Sequence, residues 1–174
     1  MTAERDPPKP DPAPFEPGPA TAMTFRAALG RFATGVTVVT AAGPDGPAGI
    51  TANSFASVSL DPPLVLWCPA KASRRIALFA AAPRYAVHVL AAGQRDLCAR
   101  FTRGGAGFDD LPHETGAGGV PLLPGVLARF ECRQEAVHDA GDHLIVVGRV
   151  LRAFARPGAP LVFSGGHYGG FAPG

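Results

Sequence analysis

The hydrophobic and polar positions change period several times along the chain, and each change marks an element. Phe25, Ala28, Leu29 and Phe32 recur at helical spacing, which predicts a short amphipathic helix ended by Gly35. Residues 36–41 are mostly β-branched and read as a strand, and Pro44-Asp45-Gly46-Pro47 supplies turn chemistry for a hairpin. Residues 49–59 mix polar and apolar positions. Asp61-Pro62-Pro63 breaks that segment, and 64–68 is a fully apolar strand. Ser73 is a good N-cap for a helix over 74–82, with Ile76, Phe79 and Ala80 inward and Pro83 beyond its end. A strand over 85–91 follows, then a helix near 94–102 on which Leu97 and Phe101 share a face. Residues 103–125 hold seven glycines and three prolines and read as one long loop. Over 126–132 the pattern alternates, with Val126, Ala128, Phe130 and Cys132 on one face. Residues 143–151 form a further long strand and 161–163 a last short one.

About seven strands, with turn signals between them and few short helices, imply a mainly β fold closed as an antiparallel barrel. The helices are too few for a doubly wound parallel sheet. Residues 1–22 contain seven of the chain's 19 prolines and almost nothing large and apolar. Such a stretch cannot offset its own ordering entropy, so it reads as a disordered tail ahead of one domain over 23–174.

Composition narrows the function classes. A formal charge of +2, scattered along the chain, is no footprint for nucleic acid. Cys68, Cys98 and Cys132 are an odd, widely spaced set that suits free thiols in a reducing compartment, so the cytoplasm is the expected location. No apolar run is long enough to suggest a membrane span, and the histidines have no metal-ligand spacing. Phosphate-loop, dinucleotide-fingerprint, nucleophile-elbow and zinc-protease patterns are all missing. Two places remain. Residues 49–54 put hydroxyls and an amide beside a glycine, either as a cradle for a polyol chain and a heteroaromatic edge or as a plain polar-faced strand. Residues 68–75 end a strand, carry Lys71, and open a helix at Ser73 with Arg74 and Arg75, either as an anion site or as ordinary surface charge. His143 stands at a strand start where an imidazole could meet a coenzyme or simply be solvated.

In order, 25–40 (FRAALGRFATGVTVVT), 49–73 (GITANSFASVSLDPPLVLWCPAKAS), 141–150 (GDHLIVVGRV) and 160–168 (PLVFSGGHY) resemble the split-barrel flavin reductases that serve two-component flavin monooxygenases. The resemblance covers about 23–171. It implies an antiparallel split β-barrel with a few flanking helices, and reduction of FMN, or FAD, by NADH or NADPH. It places Pro47, Ala48, Gly49, Ile50, Thr51, Asn53 and Ser54 along the flavin ring edge and ribityl chain. Cys68, Pro69, Ala70, Lys71, Ala72, Ser73 and Arg75 would wrap the flavin, with Lys71, Ser73 and Arg75 nearest the phosphate. Phe101, Thr102 and Arg103 would complete the phosphate surroundings. His143 would lie beside the nicotinamide as the catalytic residue, with Tyr168 near the same mouth. A homodimer and a monooxygenase that receives reduced flavin are the implied partners. An FMN carrier without reductase activity and a pyridoxamine-phosphate-type oxidase on the same barrel are the alternatives. Pro112-His113 and the Ser-Gly-Gly-His-Tyr segment depart from the family pattern, which bears on coenzyme contacts and flavin preference.

Overall fold

The computed structural model describes residues 13–102 and 107–172. Regular structure starts inside the segment read as a tail. A 3-10 turn at Pro19–Thr21 leads into α1 (Ala22–Leu29), and the Thr21 hydroxyl fastens that turn by accepting the Gly18 N–H at 2.9 Å. Helix α1 ends at Gly30, five residues before the glycine expected to stop it.

The strands are β1 (Thr34–Gly35), β2 (Thr37–Gly43), β3 (Gly46–Ala52), β4 (Ala56–Leu60) and β5 (Pro63–Trp67). After α2 (Ile76–Ala81) come β6 (Arg84–Val89) and α3 (Arg95–Thr102). Then follow β7 (Glu114–Thr115), β8 (Pro121–Leu122), β9 (Ala128–Ala140), β10 (His143–Ala155), β11 (Leu161–Ser164) and β12 (His167–Gly170). The presumed loop over 103–125 thus contains a small ladder, β7 with β8. β9 runs eight residues past its expected end at Cys132, because its polar second half still has β10 to pair with.

Seven strands form one antiparallel sheet in the order β3-β2-β6-β9-β10-β5-β4. Its two edges, β3 and β4, are consecutive in the chain and joined only by residues 53–55. So short a link forces the sheet to curl until its edges come together, which makes it a split barrel. A second sheet, β1-β11-β12, lies alongside.

β2 is buried on both faces, which explains its near-continuous apolar run. Val39 and Ala41 join Val65, Trp67, Phe79, Tyr85, Val87, Cys132 and Val146 in one core, while Val36 and Val38 join Leu90, Cys98, Phe101, Leu123, Val126 and Leu161 in another. Val126 therefore packs apart from Cys132, contrary to the alternation expected for 126–132. Gly125 (φ 71) turns the chain there, and the strand proper begins at Ala128. Trp67 is wholly buried beside Tyr85, and Gly148 makes room for that tyrosine: a Cβ on Gly148 would lie 2.0 Å from Tyr85 Oη.

Candidate functional site

The seam where the sheet edges meet gathers most of the residues singled out in the sequence. Ser54, in the three-residue link, accepts the Cys68 N–H at 2.9 Å and donates to the Cys68 carbonyl at 3.1 Å. Its hydroxyl fastens the end of β5 to the seam. The chain then runs along the β9–β10 turn, which Gly141 (φ 68) allows to be tight. Leu144 N–H donates to the Pro69 carbonyl at 3.0 Å, Lys71 N–H donates to the Asp142 carbonyl at 2.9 Å, and Ala70 bridges His143. Residues 68–71 and His143, 72 positions apart at the nearest, become neighbours through backbone bonds alone.

Charge concentrates on this rim. Lys71 Nζ lies 2.6 Å from Asp139 Oδ2, and His143 Nδ1 lies 2.8 Å from Asp142 Oδ1. The His143 hydrogen bond, and then its charge, hold the Asp142 carboxyl below the ordinary carboxylate range. With Nδ1 committed to Asp142, Nε2 is the imidazole atom left for a ligand. Burial pushes the Cys68 thiol up, so it stays protonated and serves as a small apolar group.

The helix expected to open at Ser73 begins instead at Ile76 and is only six residues long. Ser73 and the two arginines form a turn before it, with the Ser73 hydroxyl accepting Arg75 N–H at 3.3 Å and its carbonyl accepting Ile76 N–H at 3.0 Å. Positive charge here comes from side chains, and a helix dipole has little part in it. Burial first and Arg74 second lower the Arg75 pKa. Arg75 Nη1 donates to the Gly49 carbonyl at 2.6 Å, which ties this arm to β3.

The other arm is β3 with α3. Ala48, Ile50 and Ala52 pack on the barrel core, so Gly49 and Thr51 occupy the opposite face. Thr51 and Thr102 both donate to the Cys98 carbonyl, at 2.7 and 2.8 Å. Their protons are spent, and each meets a ligand as an acceptor suited to an N–H or O–H. Tyr168 Oη accepts from the Cys98 thiol at 3.3 Å, the first cause of its raised pKa. Thr51, Asn53, Thr102, Tyr168, Val36 and Phe163 line one cleft of about 170 Å³. Arg95, with its guanidinium 5.4 Å from the Tyr168 ring centre, and Asp96 line an adjoining hollow of about 550 Å³.

Phe101 differs from the role the resemblance gave it. Its side chain is fully buried, and a Cβ at Gly49 or Gly107 would lie 2.5 or 2.3 Å from its ring. It fills the core under β3 and dictates glycine above it. Arg103 lies outside the described residues. Cys98, Arg95, Asp139 and Asp142 carry contacts at the site that reading by motif did not single out. Cys98 acts through its carbonyl, which no side-chain pattern reveals. Asp139 signals itself only once β9 and β10 are known to be a single hairpin.

An antiparallel split barrel with a hydroxyl-and-amide face on one arm and a cationic rim on the other is a small-ligand binder of the flavoprotein type. The family profile described as "Flavin reductase like domain" matches residues 29–172. The chain belongs to the flavin reductase-like family. It is 62% identical over 158 residues to the FMN reductase (NADH) SmoA of Agrobacterium fabrum, covering 91% of each chain. It is 43% identical over 157 residues to the flavin-dependent monooxygenase reductase subunit HsaB of Mycobacterium tuberculosis, covering 86% of this chain and 82% of that one. The solved NADH:FAD oxidoreductase SgcE6 of Streptomyces globisporus superposes with a TM-score of 0.85 at 40% identity, covering 96% of this chain and 97% of the other. Among the described residues no helix is long and apolar enough to cross a membrane.

Proposed function

We propose that the chain is an NAD(P)H-dependent flavin reductase that hands reduced flavin to a partner monooxygenase. The observation that carries this reading is the meeting, at the barrel seam, of an acceptor face and a cationic rim. Thr51, Thr102 and Asn53 supply the first; Lys71 and Arg75 supply the second, with the neutral Ser73 hydroxyl beside them. This pairing fits FMN, whose ring and ribityl chain offer N–H and O–H groups and whose other end is a phosphate. The flavin and the nicotinamide supply the hydride chemistry between them, so a nucleophile or general base is unnecessary.

What remains for the protein is to position and to neutralise. Gly49, packed against Phe101 with no side chain of its own, would hold the flavin ring through its backbone. Lys71, now paired with Asp139, would neutralise the phosphate. His143, held through Nδ1 by Asp142, presents Nε2 to the coenzyme. The reading is tested by adding FMN to the purified chain and following NADH and NADPH oxidation. Turnover is expected with at least one coenzyme, and His143→Ala lowers it while leaving FMN affinity intact. No turnover with either would remove the proposal.

Delivery to a monooxygenase is supported by relatives such as the flavin-dependent monooxygenase reductase subunit HsaB of Rhodococcus jostii, 42% identical over 151 residues. A homodimer is the further proposal. Helix α1 buries none of its residues, and Met23, Leu29 and Phe32 are 77, 60 and 79% exposed, as is Leu60 on edge strand β4 at 96%. Apolar surface of this kind calls for a second copy to cover it. Light scattering should return twice the chain mass, 35.8 kDa against 17.9 kDa for one chain. The cytoplasm is the compartment we propose, a reading that the three widely spaced free thiols support.

A further inference from the structure

Three arginines stand in a row across the seven-stranded sheet. Arg84 on β6 faces Arg133 on β9, and Arg133 faces Arg149 on β10. Their neighbours Tyr85, Cys132 and Val150 point into the barrel core, so the three side chains leave by the outer face. Cα atoms directly opposite one another lie about 5 Å apart, and like charges so placed repel. The next row sets Arg152 opposite Glu131, and the one beyond it sets Phe154 opposite Arg129.

Arg129 and Arg133 have partners on this face, Glu131 at 3.4 Å and Glu135 at 3.0 Å. Among the described residues, Arg84, Arg149 and Arg152 have no carboxylate at ion-pair distance. Five arginines against two glutamates leave the face three positive charges in excess, more than the +2 of the whole chain. Charge that is scattered along the sequence is collected here by strand pairing. Apolar surface lies beside it: Leu151 and Phe154 are 45 and 46% exposed. A notch of about 30 Å³ opens where Ala117, Val120 and Leu151 meet Arg84, Arg152 and Glu131. Gly118 stands against the stem of Arg84, where a Cβ would lie 3.0 Å from Arg84 Cδ, and so steadies that wall.

A second copy of the chain fits this face badly, because a two-fold interface would set the patch against itself, like charge on like. Nucleic acid fits it badly too. Glu131 and Glu135 repel phosphates, and three strands span only about 10 Å. An acidic protein segment with an apolar residue in it meets both features. Its carboxylates pair with the guanidinium forks, and the apolar residue covers Leu151 at the notch. Arginine and aromatic side chains are also the types that carry most binding energy between proteins.

We propose that this arginine face docks an acidic, partly apolar segment of another protein. Arg149 follows His143 by six residues on β10, about 20 Å along the strand, so a docked segment leaves the seam open.

The probe is a fluorescein-labelled decapeptide of glutamates around one central leucine, titrated with the full chain at low salt and followed by anisotropy. Saturable binding that weakens as salt rises is expected. The pair Arg133→Glu and Arg149→Glu should weaken it at least about tenfold, and the pair Arg133→Lys and Arg149→Lys much less. Both pairs sit on the solvent side of the sheet and the first relieves repulsion, so folding is not threatened; Arg84→Gln alone should weaken binding severalfold. No binding, or binding that survives the glutamate pair, would overturn the proposal. A thymidylate oligonucleotide of equal length that binds as tightly as the peptide would overturn it in favour of nucleic acid. A fall in particle mass of the glutamate pair by light scattering would overturn it in favour of a contact between copies.

Discussion

The two arms of the site are built in different ways. On the β3–α3 arm, Thr51 and Thr102 converge on one backbone carbonyl, and Gly49 lies against the fully buried Phe101. Packing and committed hydrogen bonds leave that arm one arrangement. On the rim arm, Lys71 and Asp139 form an ion pair whose side chains are 36 and 78% exposed, beside the Asp142–His143 pair. Exposed pairs of this kind contribute about 0–1 kcal/mol and are weakened by salt, so they exchange partners readily. One arm sets where a ring lies. The other answers to the charge that arrives.

If the packed side is as rigid as this, its buried groups should give the largest effects. His88 sits beneath β2 with Nδ1 donating to the Val38 carbonyl and Nε2 accepting Leu123 N–H, both at 3.1 Å. Both nitrogens are satisfied only in the neutral ring, and burial lowers its pKa from 6.5 to about 4. The unfolded chain therefore binds more protons between those values. Stability contributed by neutral His88 is complete above about pH 6.5 and is lost as pH falls toward 4, by about 3 kcal/mol in all. His88→Asn, which does not titrate, should be less stable at neutral pH and lack that part of the slope. Urea unfolding at several pH values measures both. Parallel profiles for the two proteins would contradict the assignment.

Next in size is Gly49→Ala. Its Cβ would stand 2.5 Å from the Phe101 ring, which has no room to retreat, so overpacking should cost about 1–3 kcal/mol. FMN affinity should fall with it. A fully stable Gly49→Ala protein would show that the floor gives way and that the contrast between the arms is overdrawn.

The smallest effect belongs to the rim. Asp139→Asn removes the partner of Lys71 and should change stability by less than about 1 kcal/mol. FMN, which carries a phosphate, should then bind more tightly, and riboflavin, which lacks one, should bind as before. Equal shifts for the two flavins would mean that Lys71 does not serve the phosphate.

The strands with clean alternation or continuous apolar runs, β2, β5 and β6, were legible because burial itself writes that pattern. β9 beyond Cys132 was not, since Arg133, Glu135 and Asp139 read as polar loop until β10 is laid beside them. The same tertiary pairing hid the rim, because the neighbours of His143 are set by backbone bonds to Pro69 and Asp142. Helix α2 starts late because Ser73 caps a turn that is not yet helix. For the site, the Thr-rich stretch of β3 was readable as polar chemistry. Its mode of action was not: the Thr51 hydroxyl, turned toward the Cys98 carbonyl, is left as an acceptor.

The central claim is that the seam holds flavin where a dihydronicotinamide reduces it. Anaerobic stopped-flow mixing of the FMN-loaded protein with NADH, followed at the oxidised-flavin absorbance band, tests it most directly. Bleaching in a single saturable phase, slowed in His143→Ala but not in Asp139→Asn, is the predicted result. Flavin that binds yet stays oxidised with both NADH and NADPH would contradict the account.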